Sequence, residues 1–369
     1  MTLTRQPYNM RAATASTPGA RGAVVGSAWR LALPRDLHFG LILALTIRGL
    51  AVTSYEEMRR VAGLAEELHF DSIWLCDHFL TLAPEAYVED ARIAGGAAAA
   101  PRGVETRSMP LLECWTALSA LARDTSRLRL GTSVLCHSYR SPAVLAKMAA
   151  TLDVISEGRL DLGLGAGWFE QEYRAYGIPF PRIGERIDQL AEGVEIIRRM
   201  WTEAHPRFEG RHYAIDGALC DPPPRQRPHP PIWIGGEGDR VHRLAARAAD
   251  GVNVRWWGPD RIAGRGAYLD AACREAGRDP AALARSVTAL LIADTEAGRA
   301  AATRERFAGI PGEGHVAGTP EACVARVRQY VGAGVRHFLF TIPDVASSPA
   351  LELVGRRVLP ALRQEFAVT

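Results

Sequence analysis

The sequence predicts an α/β protein in which short buried strands alternate with helices, and three observations carry that prediction. Eight short apolar runs recur along the chain, each introduced by a turn-like or polar residue; a helix-like stretch follows each run; and the runs are almost continuously hydrophobic. Continuous hydrophobicity suits strands covered on both faces, as in a parallel sheet, whereas strict alternation marks a strand with one wet face. Alternating βα units build either a closed barrel or an open doubly wound sheet, and periodicity does not separate the two.

The strands are read at His38 to Leu45, Ser72 to Cys76, Leu128 to Leu135, Leu160 to Gly165, Ile232 to Gly235, Val252 to Val254, Val287 to Ile292 and Phe338 to Thr341. Among the helices, the clearest places Ile183, Ile187, Leu190, Val194, Ile197 and Trp201 on one face at spacings of four and three, so that face should lie on the sheet. Ser54 with Glu57 has the spacing of a capping box, and Ser141-Pro142 and Thr319-Pro320 put a cap before a proline at the first helical position. Gly158 and Gly332 are read as helix stops.

Three long stretches interrupt this rhythm: Leu80 to Pro110, Trp168 to Pro181, and the proline-rich Ala204 to Pro230. Each follows the carboxyl end of a strand or the helix after one. In a β/α barrel that end carries the active site, so the insertions are expected to wall it or close over it.

Composition bounds the function. With 47% hydrophobic and 23% charged residues over 369, the chain is of globular type and long enough for one large barrel domain. Its formal charge of +3 mixes both signs along nearly the whole length, which gives no nucleic-acid stripe. Lys147 is the only lysine, so the basic residues are almost all arginines, a bias that reads as compositional rather than as phosphate binding. Six scattered cysteines show neither a CxxC pair nor metal-ligand spacing, which fits a reduced cytoplasm and no metal. No apolar run approaches the roughly 20 residues that span a bilayer, so no membrane segment is expected. Residues 1–36 are arginine-rich and nearly free of acidic side chains, and they read as a disordered extension ahead of a domain over 37–369, with a transit peptide as the other reading.

Four segments could carry chemistry. FDSIWLCDHF ends a strand with Asp77 and His78, where an imidazole can exchange a proton and a neighbouring carboxylate can fix its orientation. RLGTSVLCH should enter the barrel interior, and its small residues Gly131, Thr132 and Ser133 leave space that neighbouring side chains or a flat ligand could fill. GRLDLGLGAGWFEQE brings Gly163, Gly165 and Gly167 to a strand end but is not the dinucleotide fingerprint Gly-x-Gly-x-x-Gly, since Trp168 stands where that pattern needs its third glycine. PPIWIGGEGDR gives a strand, the turn Gly235-Gly236-Glu237-Gly238, and a helix beginning near Asp239, whose free amides can attract a phosphate.

Taken in order, these segments resemble the luciferase-like monooxygenase family, and within it the actinobacterial branch that depends on coenzyme F420, an 8-hydroxy-5-deazaflavin. The resemblance runs from about Phe39 to Phe340 and is most specific over RSPAVLAKMAATLDVISEGRLDLGLGAGWFEQEYRAYGIPF. It implies a (β/α)8 TIM barrel with insertions, of the bacterial luciferase-like type, with the cofactor ring at the carboxyl ends of the strands and hydride passing directly to or from it. By similarity, His78 is the catalytic candidate with Asp77 beside it. Ser133-Val134 would be a cis peptide whose bulge supports the ring. Gly165, Gly167 and Gln171 would wall the cofactor, and Gly235, Gly236, Glu237 and Gly238 would hold its phosphate. Arg140 is a further contact for an acidic tail, or else a surface salt bridge. The family commonly forms homodimers, and the helix from Arg182 to Trp201 is one interface to consider.

One departure bears on the substrate. The sugar-phosphate dehydrogenase branch carries an acidic residue after its Gly-x-Gly-x-Gly pattern, where this chain has Trp168, so a flatter or more apolar small molecule is expected in place of glucose 6-phosphate. Two other functions compete with hydride transfer through F420: an FMN-dependent monooxygenase using reduced flavin and oxygen, and a non-catalytic barrel that only binds a flavin.

Overall fold

In the computed structural model, residues 36–44, 47, 49–80 and 110–367 are described. The stretch 1–35 and most of the expected insertion between Leu80 and Pro110 lie outside the described residues.

All eight expected strands form, and they close into a parallel barrel. In chain order they are β1 (His38–Ala44), β2 (Ser72–Leu75), β3 (Arg129–Thr132) with its continuation β4 (Leu135–Cys136), β5 (Leu160–Gly165), β8 (Ile232–Gly235), β9 (Gly251–Arg255), β10 (Ala284–Ala293) and β12 (His337–Thr341). Each pairs with the next, β9 pairs with β10, and β12 pairs with both β10 and β1, which closes the ring and rules out the open sheet. Closure leaves no free edge within the ring. Three short strands lie outside it: β6 (Arg207–Glu209) and β7 (Ala214–Asp216) form a hairpin, and β11 (His315–Gly318) extends the sheet beyond β10.

Two-residue alternation explains how near-continuous hydrophobicity serves both faces. Phe39, Leu41, Ile73, Leu75, Leu162 and Leu164 point outward into the layer between strands and helices. Their neighbours Ile42, Trp74, Trp233, Leu290 and Leu339 point inward to a second cluster that fills the barrel and lines its mouth. Below them the inward side chains are polar and mutually bonded: His38 to Ser72 at 2.7 Å, Arg129 to Asp161 at 2.7 Å and Asn253 to Ser286 at 2.8 Å. The space at Gly131 is taken by a neighbouring side chain, since a Cβ there would lie 2.3 Å from the Trp74 ring.

The helix Ile183–Thr202 buries Ile187, Leu190, Val194, Ile197 and Trp201 as its spacing predicts, but Ile183 in the first turn is 54% exposed. The helix packs against the helices Pro142–Ile155 and Asp239–Ala248, and its apolar stripe is buried within the chain's own core, so pairing of two copies through this helix would have to use its polar outer face. Ser54 caps the helix Tyr55–Glu67 by accepting from the Glu57 amide, and Thr319 caps Pro320–Gly332 through the Ala322 amide. Gly158 adopts the left-handed backbone that stops a helix, at φ 87°. Gly332 is instead the last helical residue, and Gly334 supplies that conformation at φ 92°.

Candidate active site

The expected single strand from Leu128 to Leu135 is broken. β3 ends at Thr132, the Ser133-Val134 peptide is cis, and β4 resumes pairing with β5 at Leu135. The bulge places the Val134 side chain against the glycines of the two following strands. A Cβ on Gly165 would lie 2.7 Å from Val134 Cγ2, and one on Gly235 would lie 2.7 Å from Val134 Cγ1. Deeper in the strand, a Cβ on Gly163 would lie 1.9 Å from the Thr132 carbonyl oxygen. The strand-end glycines thus make room first for the bulge, a close approach of chain to chain that a larger side chain would forbid.

His78 emerges from β2 and is held by a residue that sequence reading did not single out. Its Nδ1 lies 2.9 Å from Oε2 of Glu172, on the short helix Glu170–Ala175. The same fully buried carboxylate accepts from the Tyr139 hydroxyl at 2.7 Å and from the amides of Phe79 at 2.7 Å and Leu80 at 2.9 Å. Burial alone would push the Glu172 carboxyl up, but the charge of His78 and these hydrogen bonds outweigh it and hold the group below the ordinary carboxylate range. With Nδ1 engaged on an anionic acceptor, Nε2 lies on the other side of the ring, away from Glu172. The ring stands edge-on to Trp168 at 5.6 Å and Phe169 at 6.2 Å between centroids.

Asp77 does not orient His78, contrary to expectation. Its carboxylate is turned into the protein, where Arg140 grips both oxygens at 2.7 and 2.9 Å and the Cys136 amide donates at 3.0 Å. Burial raises the Asp77 carboxyl against the pull of Arg140. Arg140 also reaches Glu113 at 2.6 Å, and Glu113 caps the helix Cys114–Asp124. Arg140 is therefore neither a surface bridge nor available to a ligand tail, because a two-sided carboxylate clamp fixes it.

The remaining expected residues divide. Gly167, at φ 74°, lies under Tyr173, whose hydroxyl would be 1.9 Å from a Cβ there. Gln171 is exposed. Gly235 to Gly238 form the turn into the helix Asp239–Ala248, with Gly238 as its N-cap. The Gly236 amide is already committed to the Asn253 carbonyl at 3.2 Å, so the free donors of this turn are the first-turn amides of the helix. A Cβ at Gly238 would meet nothing within 4 Å, and Arg261 and Arg265 stand beside the turn, paired with Glu237 and Asp239. His242 accepts from the Arg265 Nε at 3.1 Å and bonds the Gly236 carbonyl at 3.1 Å, and burial lowers its pKa to about 4. No group of side chains able to hold a metal ion occurs among the described residues, and no helix among them is long and apolar enough to cross a membrane.

A parallel barrel with a cis-peptide bulge and a carboxylate-held histidine at the carboxyl ends of its strands defines the class of protein. The chain belongs to the luciferase-like monooxygenase family, whose pattern it matches over residues 37–313. It is 30% identical over 357 residues to an F420-dependent glucose-6-phosphate dehydrogenase of Microbacterium testaceum (strain StLB037), covering 82% of this chain and 92% of that enzyme. An enzyme of the same name from Amycolatopsis mediterranei (strain U-32) is 35% identical over 189 residues, which is 51% of this chain and 49% of that enzyme. Among solved structures, an F420-dependent secondary alcohol dehydrogenase in complex with an F420-acetone adduct superposes with a TM-score of 0.70 at 20% identity, over 89% of this chain and 99% of that one. At that identity the likeness establishes the shared barrel.

Proposed function

We propose that this chain is an oxidoreductase that binds coenzyme F420 at the barrel mouth and exchanges hydride with a small organic substrate. The observation that carries this reading is the meeting, at one end of the barrel, of a carboxylate-held histidine and a glycine turn opening a helix N-terminus. The likeness to an F420-dependent enzyme over 82% of this chain supports it.

The residues fit the group. The turn at Gly238 is unobstructed, and the first-turn amides of the helix Asp239–Ala248 suit a phosphate. The bulge at Val134, seated on Gly165 and Gly235, would support the ring. When bound, the deazaflavin supplies a two-electron hydride carrier with little reactivity toward oxygen. His78 Nε2 then takes up or returns the proton that accompanies hydride transfer, while Glu172 keeps the imidazole in one tautomer and orientation. Trp168 and Phe169 shield this ring from water on one side.

The test is a titration of the purified full chain with F420 and, separately, with FMN, followed by absorbance or fluorescence. F420 should bind at micromolar levels and FMN more weakly. Binding of FMN alone would turn the reading to an oxygen-using monooxygenase, and binding of neither would end it. His78→Ala should bind F420 like the parent and fail to turn over, whereas an unaltered rate would remove His78 from its role.

A further inference from the structure

The Glu172 carboxylate has no acceptor site to spare. An ionised carboxylate offers about four such sites on its two oxygens, and four donors meet this one. Oε1 takes the amides of Phe79 and Leu80 at 2.7 and 2.9 Å, while Oε2 takes the Tyr139 hydroxyl at 2.7 Å and His78 Nδ1 at 2.9 Å. Tyr139 and His78 therefore share a single oxygen, and the shorter of the two bonds belongs to Tyr139. That hydroxyl has little freedom to leave. Tyr139 ends the short helical turn His137–Tyr139, its ring is stacked on Phe79 at 4.8 Å between centroids, and Tyr173 meets it edge-on at 5.2 Å. Burial, with the Glu172 charge beside it, raises the Tyr139 phenol far above its ordinary range and keeps it a neutral donor.

We infer that Tyr139 is a positioning residue for His78: by donating to the oxygen that holds the imidazole, it loosens that hold and leaves the ring able to release a proton as well as to take one. The role in turnover rests on the oxidoreductase reading above; the competition for Oε2 does not. A hydrogen bond to the charged form of a carboxylate lowers its affinity for protons, so the Tyr139 hydroxyl weakens the pull of Glu172 on the Nδ1 proton. Held by Glu172 alone, the imidazole would be a stronger base, whereas a group that both gives and takes a proton works best at intermediate basicity. The other charged and titratable groups around the pair are engaged elsewhere. Asp77 is bound to Arg140, Glu170 pairs with Arg174, and the Tyr173 hydroxyl and Cys136 thiol, both raised by burial, bond each other at 2.8 Å. Among the described residues, Tyr139 is the one side chain that shares Glu172 with His78.

The test uses the full chain free of cofactor and compares the parent with Tyr139→Phe, which keeps the stacked ring and removes only the hydroxyl. Two readings are taken. One is the His78 Nδ1–H proton resonance in histidine-labelled protein, assigned by its loss in His78→Ala. The other is the pH dependence of the rate at which diethyl pyrocarbonate modifies His78, followed by mass spectrometry of its peptide. In Tyr139→Phe the resonance should move downfield. The half-maximal rate should move to higher pH by about half to one unit, the roughly 3- to 10-fold gain in proton affinity expected when one uncharged hydrogen bond is withdrawn. A ring-fluorinated tyrosine at the same position is a stronger donor; it should move both readings the other way, and it decides the outcome if Tyr139→Phe does not fold. The same resonance and the same pH dependence in the parent and the folded variants would overturn the inference. F420 binding is titrated in parallel. Its absence from the parent would end the oxidoreductase reading, while the two shifts would still establish the competition for Oε2.

Discussion

Glu172 holds His78 across 94 residues of sequence, with Oε2 2.9 Å from Nδ1. The carboxylate also collects the Tyr139 hydroxyl and two successive amides, so one buried charge fixes both the imidazole and the chain that follows it. In the function proposed above, Glu172 orients the imidazole without touching the substrate.

Replacing Glu172 by Gln keeps its volume and removes its charge. The expected outcome is a fall of about 10- to 100-fold in kcat with F420 affinity retained, read from steady-state rates beside a fluorescence titration. Since the folded carboxyl lies below its ordinary range, its contribution to stability is present above the unfolded carboxylate pKa and is lost as pH falls through the folded value. Parent and variant should therefore converge in thermal midpoint at acid pH.

Removing Arg140 strands a buried carboxylate. Arg140→Met should destabilise the fold by about 3–5 kcal/mol in urea or guanidinium unfolding, because Asp77 loses both guanidinium contacts. The double variant Asp77→Asn with Arg140→Met should recover a good part of that loss. Equal losses in the single and double variants would show that Asp77 is not what makes Arg140 necessary.

The glycines of the mouth should differ sharply in tolerance. Gly235→Ala drives a methyl group to 2.7 Å from Val134 and is expected to displace the bulge, weakening F420 binding in the titration. Gly238→Ala meets nothing within 4 Å and should change stability by no more than about 1 kcal/mol.

Two buried histidines set a pH dependence. Burial lowers both His137 and His242 to about 4 from 6.5. Between those values the unfolded chain binds a proton that the folded chain does not, so stability rises with pH and is fully present only above about 6.5. Each histidine should contribute a slope of about 1.4 kcal/mol per pH unit between pH 5 and 6. His242→Gln, which can still bond Gly236 and Arg265, should lower the slope by that amount in denaturant unfolding at a series of pH values.

The sequence by itself determined the eight strands and several helix ends, because buried strands and amphipathic helices write their periods locally, as the stripe from Ile187 to Trp201 does. It also located the mouth, since His78, Ser133-Val134, Gly165 and Gly235 all sit at strand ends. Periodicity left closure open and the family resemblance implied a barrel; the pairings of β9 with β10 and β12 with β1 show that the ring closes. Only the tertiary structure decided partners. Asp77 adjoins His78 in the chain, yet successive residues leaving a strand point to opposite sides, so Asp77 turns to Arg140 while His78 finds Glu172. A carboxylate on a short helix that also carries Glu170 and Gln171 has no local mark of burial; that arises only when two distant strand ends are brought together.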